Sequence, residues 1–148
     1  SEVLLIHENA CVAIDPAMPL DRAAIIGCAV TTGAGTIFNA CNVTPGETVA
    51  VVGCGGVGLA TINAAKIAGA GRIIAADPIP EKRELARKLG ATHVVDAFAD
   101  NAAQQILDIS KGGLMLWAEV NKFFASVNEA VVPHFFKCGV GAVYYVFI

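Results

Sequence analysis

The sequence predicts an α/β chain with a doubly wound, mainly parallel sheet of about five strands and helices on both faces. Three observations carry that prediction. Short apolar runs rich in Val, Ile and Ala alternate with stretches of helical length, and Gly or Pro marks the turns between them. The chain is 55% hydrophobic and only 16% charged, which suits strands covered on both faces better than strands wetted on one. At the centre stands one complete strand–turn–helix–strand unit, Thr48–Asp77, which ends on an acid.

With 148 residues the chain is long enough for a single domain, 1–148, with its own core. Residues 1–20 read as a residual strand and linker: Leu4–Ile14 is β-rich, and Pro16 and Pro19 end it. Asp21 opens a helix candidate, Arg22–Ala29, and a second helical piece spans Gly33–Ala40. The polar turn Val43–Glu47, built on Pro45-Gly46, feeds the strand Thr48–Val52. The turn Gly53–Gly58 then leads into an Ala-rich helix, Val57–Ala68, stopped by Gly69 and Gly71. Arg72–Ala76 is the second strand. Pro80–Leu89 is a charged helix with Leu85, Ala86 and Leu89 on one face and Gly90 as its stop. Thr92–Val95 is a third strand, and Ala102–Ile109 is a helix closed by Gly112-Gly113. Leu114–Val120 is a fourth strand. Phe124–Phe136 is helix-like but broken by Pro133, and Val140–Ile148 is a fifth strand.

Composition excludes several classes. The net charge is −3, and the Lys/Arg residues of Glu81–Lys88 alternate with Glu along one helix, so a nucleic-acid surface is not expected. No apolar stretch of 18 residues runs without glycine or polar interruption, so no membrane span is expected, and the N-terminus has no basic leader. Cys11, Cys28, Cys41, Cys54 and Cys138 form an odd set without a C-x-x-C pair. Reduced thiols in a cytoplasmic protein are the simplest reading.

The turn Gly53-Cys54-Gly55-Gly56-Val57-Gly58 has the spacing G-x-G-x-x-G between a strand and a helix. A pyrophosphate can be held by the N–H groups of a helix N-terminus if the backbone approaches closely. Gly53 allows the tight turn, Gly55 leaves room for the phosphates, and Gly58 lets the helix pack on the strand. No Lys-Ser/Thr follows, which disfavours a mononucleotide loop. Asp77 lies 19 residues beyond Gly58 and can accept both ribose hydroxyls of adenosine. Its charge would repel a 2′-phosphate, favouring NAD over NADP, although Lys82 and Arg83 are close enough in sequence to meet such a phosphate. The unit predicts a Rossmann-like fold.

Two further segments carry a resemblance. Gly27-Cys28-Ala29-Val30-Thr31-Thr32-Gly33 precedes the glycine unit, and Ala70–Asp77, Lys82 and Leu89-Gly90-Ala91-Thr92 follow it. Together, over roughly residues 3–113, they resemble the medium-chain, zinc-dependent alcohol dehydrogenases. The resemblance implies that Gly53, Gly55, Gly56, Val57 and Gly58 line the NAD pyrophosphate and the inner nicotinamide edge. It implies that Asp77 and Lys82 hold the adenosine ribose and that Thr32 lies near the nicotinamide. Cys28 matches the position of one catalytic zinc ligand. The family's other ligands come from a separate N-terminal catalytic domain that this sequence lacks, and one Cys does not hold zinc where about three protein ligands are needed. Cys28 is therefore expected to be a buried, inert thiol, and His7, His93 and His134 match no ligand motif.

From about Leu114 the pattern departs from the family. Glu119 fits it, but Asn121-Lys122 and Tyr144–Ile148 replace expected glycine turns, so residues 114–148 read as an atypical C-terminal part of the same domain, whether foreign, redesigned or frame-shifted. The leading expectation is an NAD-binding domain of a truncated dehydrogenase, inactive alone. One alternative is an assembly protein that forms a homodimer through the edge strand 140–148, since exposed β edges pair. The other is an active alcohol dehydrogenase.

Overall fold

The computed structural model describes residues 3–111 and the backbone of residues 115–118. Its sheet is built from β1 (Thr48–Val52), β2 (Arg72–Ala76), β3 (His93–Val95) and β4 (Met115–Ala118), in the order β3-β2-β1-β4. All three pairings are parallel, with Thr48 opposite Arg72, Val49 opposite Met115 and Ile74 opposite His93.

Successive residues of a strand face opposite sides of a sheet, and both sides are covered. On one side Val49, Val51, Ile73 and Ala75 pack with Ile62 and Ala65 of α3 (Gly56–Ile67) and Ala86 of α4 (Pro80–Leu89). On the other, Ala50, Val52, Ile74, Ala76 and Val95 pack with Ala102 and Ile106 of α5 (Ala102–Ser110). Every residue of β1 is buried, which is why that strand reads as a continuous apolar run rather than an alternating one. The doubly wound parallel architecture expected from the sequence is present over four strands. The fifth expected strand, 140–148, and the helix-like stretch 124–136 lie outside the described residues.

Helix ends follow their local chemistry. Pro80 opens α4, where its missing N–H costs nothing. Gly90 closes it at φ 131°, a backbone angle that favours glycine. The α4 face is narrower than expected: Ala86 is buried and Leu89 half-buried, but Leu85 is exposed. Helix α5 closes on Lys111 at φ 51°, one residue before the Gly112-Gly113 pair to which its end was assigned.

Two N-terminal expectations are corrected. Leu4–Ile14 forms no strand; its only regular element is the 3-10 turn Glu8–Ala10, capped where His7 Nδ1 accepts from the Asn9 N–H at 3.2 Å. Val3, Leu5 and Val12 are almost fully exposed, and with no partner strand among the described residues their β-propensity has no ladder to join.

The two helical pieces expected between residues 22 and 40 are instead one helix, Leu20–Ala40. It contains α1 (Leu20–Ala23) and α2 (Thr31–Gly35), with π-helical turns at Ile26–Val30 and Thr36–Ala40. The Thr31 hydroxyl donates back to the Gly27 and Cys28 carbonyls, and the Thr36 hydroxyl to the Thr32 carbonyl, the back-bonding that loosens helical turns. Gly33 is no break. A Cβ there would stand 2.7 Å from the Thr61 nitrogen and 2.8 Å from the Ala60 Cβ, so its absence lets this helix cross α3 closely. By length and composition alone Leu20–Ala40 would reach across a bilayer, because its glycines do not interrupt the helix as the sequence suggested. Its buried side, Gly33 and Ile37, lies against the α3 side of the core.

Because the atoms facing Gly33 are helix backbone and a short side chain, they have little room to yield. Gly33→Ala is expected to cost ~1–3 kcal/mol through overpacking, read as a lower urea midpoint at unchanged m value.

Candidate functional site

The glycine turn sits where β1 gives way to α3. The Gly53 N–H donates to the Ala76 carbonyl at 2.8 Å, extending the β1–β2 pairing by one step, and Gly53 then turns the chain at φ 95°. Gly55 is the residue before the helix, with no side-chain cap on the helix start. Helical bonding begins when the Leu59 N–H reaches the Gly55 carbonyl at 2.9 Å. The first turn of such a helix directs its N–H groups outward with a partial positive charge, and no side chain of Gly55, Gly56 or Gly58 stands in front of it.

Gly58 is sterically fixed. A Cβ on it would lie 1.9 Å from the Gly53 carbonyl oxygen, so the first helical turn presses directly on the loop. Gly56, by contrast, is exposed, and a Cβ on it would meet nothing nearer than the Ala29 Cβ at 3.5 Å. Val57 points into the core, 5% exposed, so only its backbone is placed to meet a ligand.

Asp77 follows β2 and is 4% exposed. Its Oδ2 accepts from the Cys54 N–H at 2.8 Å, inside the glycine turn, and its Oδ1 accepts from the Ile79 N–H at 2.8 Å. The carboxylate therefore ties the loop after β1 to the loop after β2. Two of its roughly four acceptor positions remain for other donors. Sequence reasoning treated Asp77 as a ribose acceptor and missed this structural role. The signal was present, since Asp77-Pro78 is a turn-initiating pair whose side chain commonly accepts from the N–H two residues on.

Arg83, on the first turns of α4, is close in sequence to where a 2′-phosphate is expected. Its Nη1 instead donates to the Asp77 carbonyl at 2.7 Å and the Pro78 carbonyl at 3.0 Å, and lies 3.4 Å from Asp96 Oδ2. Lys82 beside it is exposed. Thr32 is half-buried in α2, on the helix that brings Ala29 to the start of α3.

Cys28 is exposed, not buried as expected, and among the described residues no group of three His, Cys, Asp or Glu side chains stands close enough to hold a metal. The described donor set thus does not fit a catalytic zinc, which needs about three protein ligands. His7 and His93 are exposed, and His134 lies outside the described residues. The described residues fit a dinucleotide better, with a glycine turn at a helix start beside an anchored carboxylate.

A buried strand, a glycine turn opening a helix, and an acid at the end of the neighbouring parallel strand define an α/β domain of the Rossmann-like class. The family model described as zinc-binding dehydrogenase matches residues 56–131, just over half of the chain, and the protein belongs to that family. The match runs past Leu114, where the departure in pattern was expected to begin.

Over 119 residues the chain is 43% identical to S-(hydroxymethyl)glutathione dehydrogenase of Saccharomyces cerevisiae, covering 77% of this chain and 31% of that protein. It is 45% identical over 94 residues to alcohol dehydrogenase B of Mycobacterium tuberculosis, covering 64% of this chain and 25% of the relative. The crystal structure of benzyl alcohol dehydrogenase from Acinetobacter calcoaceticus superposes with a TM-score of 0.66 at 37% identity, over 71% of this chain and 30% of that one. The chain therefore spans between a quarter and a third of the length of these relatives.

Proposed function

We propose that this chain is the NAD-binding part of a zinc-dependent alcohol dehydrogenase-like oxidoreductase. The observation that carries the reading is the bond from the Cys54 N–H to Asp77 Oδ2. It ties the glycine turn to the acid after β2, which supports a binding site whose two halves are held in one fixed relation.

In this reading the backbone of Gly53, Gly55, Gly56, Val57 and Gly58 receives the pyrophosphate. The remaining acceptor positions of Asp77 take the adenosine ribose hydroxyls. Lys82 approaches the ribose from the exposed side, and Thr32 lies toward the nicotinamide. NAD, when bound, supplies a hydride-accepting ring. The carboxylate of Asp77, buried beside the ribose position, would oppose a 2′-phosphate, so NAD is preferred to NADP.

Zinc-assisted alcohol oxidation is not assigned to this chain alone, because Cys28 has no companion ligands among the described residues. A cytoplasmic setting suits an odd set of five cysteines without a C-x-x-C pair. Calorimetric titration with NAD tests the reading: saturable heat is expected, together with no alcohol-dependent NADH formation when zinc is added. No heat at millimolar NAD would contradict the binding role, and turnover abolished by Cys28→Ser would contradict the inactivity.

A further inference from the structure

Arg83 docks on the turn that carries Asp77. Its side chain is only 17% exposed, and one nitrogen, Nη1, serves three oxygens: the carbonyls of Asp77 and Pro78 and the carboxylate of Asp96. Those carbonyls belong to the turn whose first residue supplies the ribose-side acid. Asp96 is held in its turn, because its Oδ1 accepts from the Phe98 N–H at 2.9 Å and its carbonyl from the Ala99 N–H at 3.1 Å. The Asp77 N–H donates to the Val95 carbonyl at 3.3 Å, so the ends of β2 and β3 meet where Arg83 docks. A continuous chain of bonds thus runs from Asp96 through Arg83 to the Asp77–Ile79 turn, and from the Asp77 carboxylate to the glycine loop.

We propose that Arg83 and Asp96 form a clasp that sets cofactor choice by holding a guanidinium on backbone carbonyls and neutralising it, so that its charge is not presented to a ribose 2′-phosphate. The inference rests on the reading of this site as an NAD site and adds two residues to it. Arg83 is a positioning residue, since it acts on Asp77 through the backbone of the Asp77–Pro78 turn. Asp96 is the group that keeps Arg83 there. Without the Asp96 charge, Arg83 is free to turn toward a dianionic phosphate, which attracts a guanidinium more strongly than neutral carbonyls do.

The test is the ratio of NADP to NAD dissociation constants, measured by calorimetry on the full chain and on Asp96→Asn, Arg83→Lys and Arg83→Met. Asp96→Asn retains the Oδ1 acceptor for the Phe98 N–H, so it alters the clasp and little else. It is expected to shift the ratio toward NADP by about fivefold, the factor belonging to one partly exposed ion pair. Arg83→Met is expected to weaken NAD binding without any gain for NADP, and Arg83→Lys to restore part of the NAD affinity. A merely structural clasp would weaken both dinucleotides equally, so an unchanged ratio in Asp96→Asn overturns the proposal. Failure of the unsubstituted chain to bind either dinucleotide overturns the underlying site reading instead, and the selectivity role with it.

Discussion

Gly58→Ala is expected to remove NAD binding altogether and to destabilise the fold by ~3 kcal/mol or more, at the upper end of overpacking costs. The added methyl would lie 1.9 Å from the Gly53 carbonyl oxygen and 3.0 Å from its carbon, and both are backbone. Neither can swing aside as a side chain would. Either the first turn of α3 lifts from the sheet or the turn at Gly53 opens. The first uncovers Val51 and Val57, and the second breaks the Gly53–Ala76 bond that continues the sheet. A domain of this size has only about 5–15 kcal/mol to lose, so thermal denaturation should show a large drop, and titration of the surviving folded fraction no saturable heat. Gly56→Ala is the control: a Cβ there meets only ordinary contact with Ala29, so stability should change little.

Asp77→Ala is expected to weaken NAD binding about ten- to a hundredfold, the range for losing one hydrogen bond to a charged group at ~1.5–3 kcal/mol. It should also destabilise the unliganded chain, because the Cys54 and Ile79 N–H groups lose the oxygens that receive them. The Cys54 bond contributes most of that loss. Cys54 is buried, whereas Ile79 is exposed enough for water to replace the carboxylate. Asp77→Asn separates the two effects. The amide keeps one acceptor oxygen but turns an NH2 group toward a backbone N–H, so one of the two bonds becomes a clash of donors. Its melting temperature should fall below that of the unsubstituted chain even with no cofactor present. A ribose acceptor without a structural role would leave that melting temperature unchanged.

Much of this was legible in the sequence because the decisive signals are local. Gly53, Gly55 and Gly58 at fixed spacing, a β-branched run before them and an acid after the next run specify a turn, a helix start and a strand end, and the structure places all three together. The boundaries of β2 and α4 coincide with those expected, since Gly71 and Pro80 punctuate the chain whatever surrounds it. The errors arose where a neighbour overrides local preference. Leu4–Ile14 has strand propensity but, among the described residues, no strand to pair with. Gly33 looked like a break, yet its missing side chain is what allows two helices to cross. The work of Arg83 was hidden because no spacing rule links residue 83 to residue 96; only the meeting of the β2 and β3 ends brings them together. The exposure of Cys28 was likewise unreadable, because burial of a small thiol on a helix depends on what covers that face.

The most direct measurement is a 15N-resolved NMR titration of the chain with NAD. The largest amide shift changes are expected at Gly53, Cys54, Gly55, Gly56, Val57, Gly58 and Asp77, with smaller ones at Ile79 and Arg83 through the shared hydrogen bonds. Saturation should follow a single binding curve. Shifts confined to other segments, or none at millimolar NAD, would contradict the account that the glycine turn and Asp77 form one preorganised dinucleotide site.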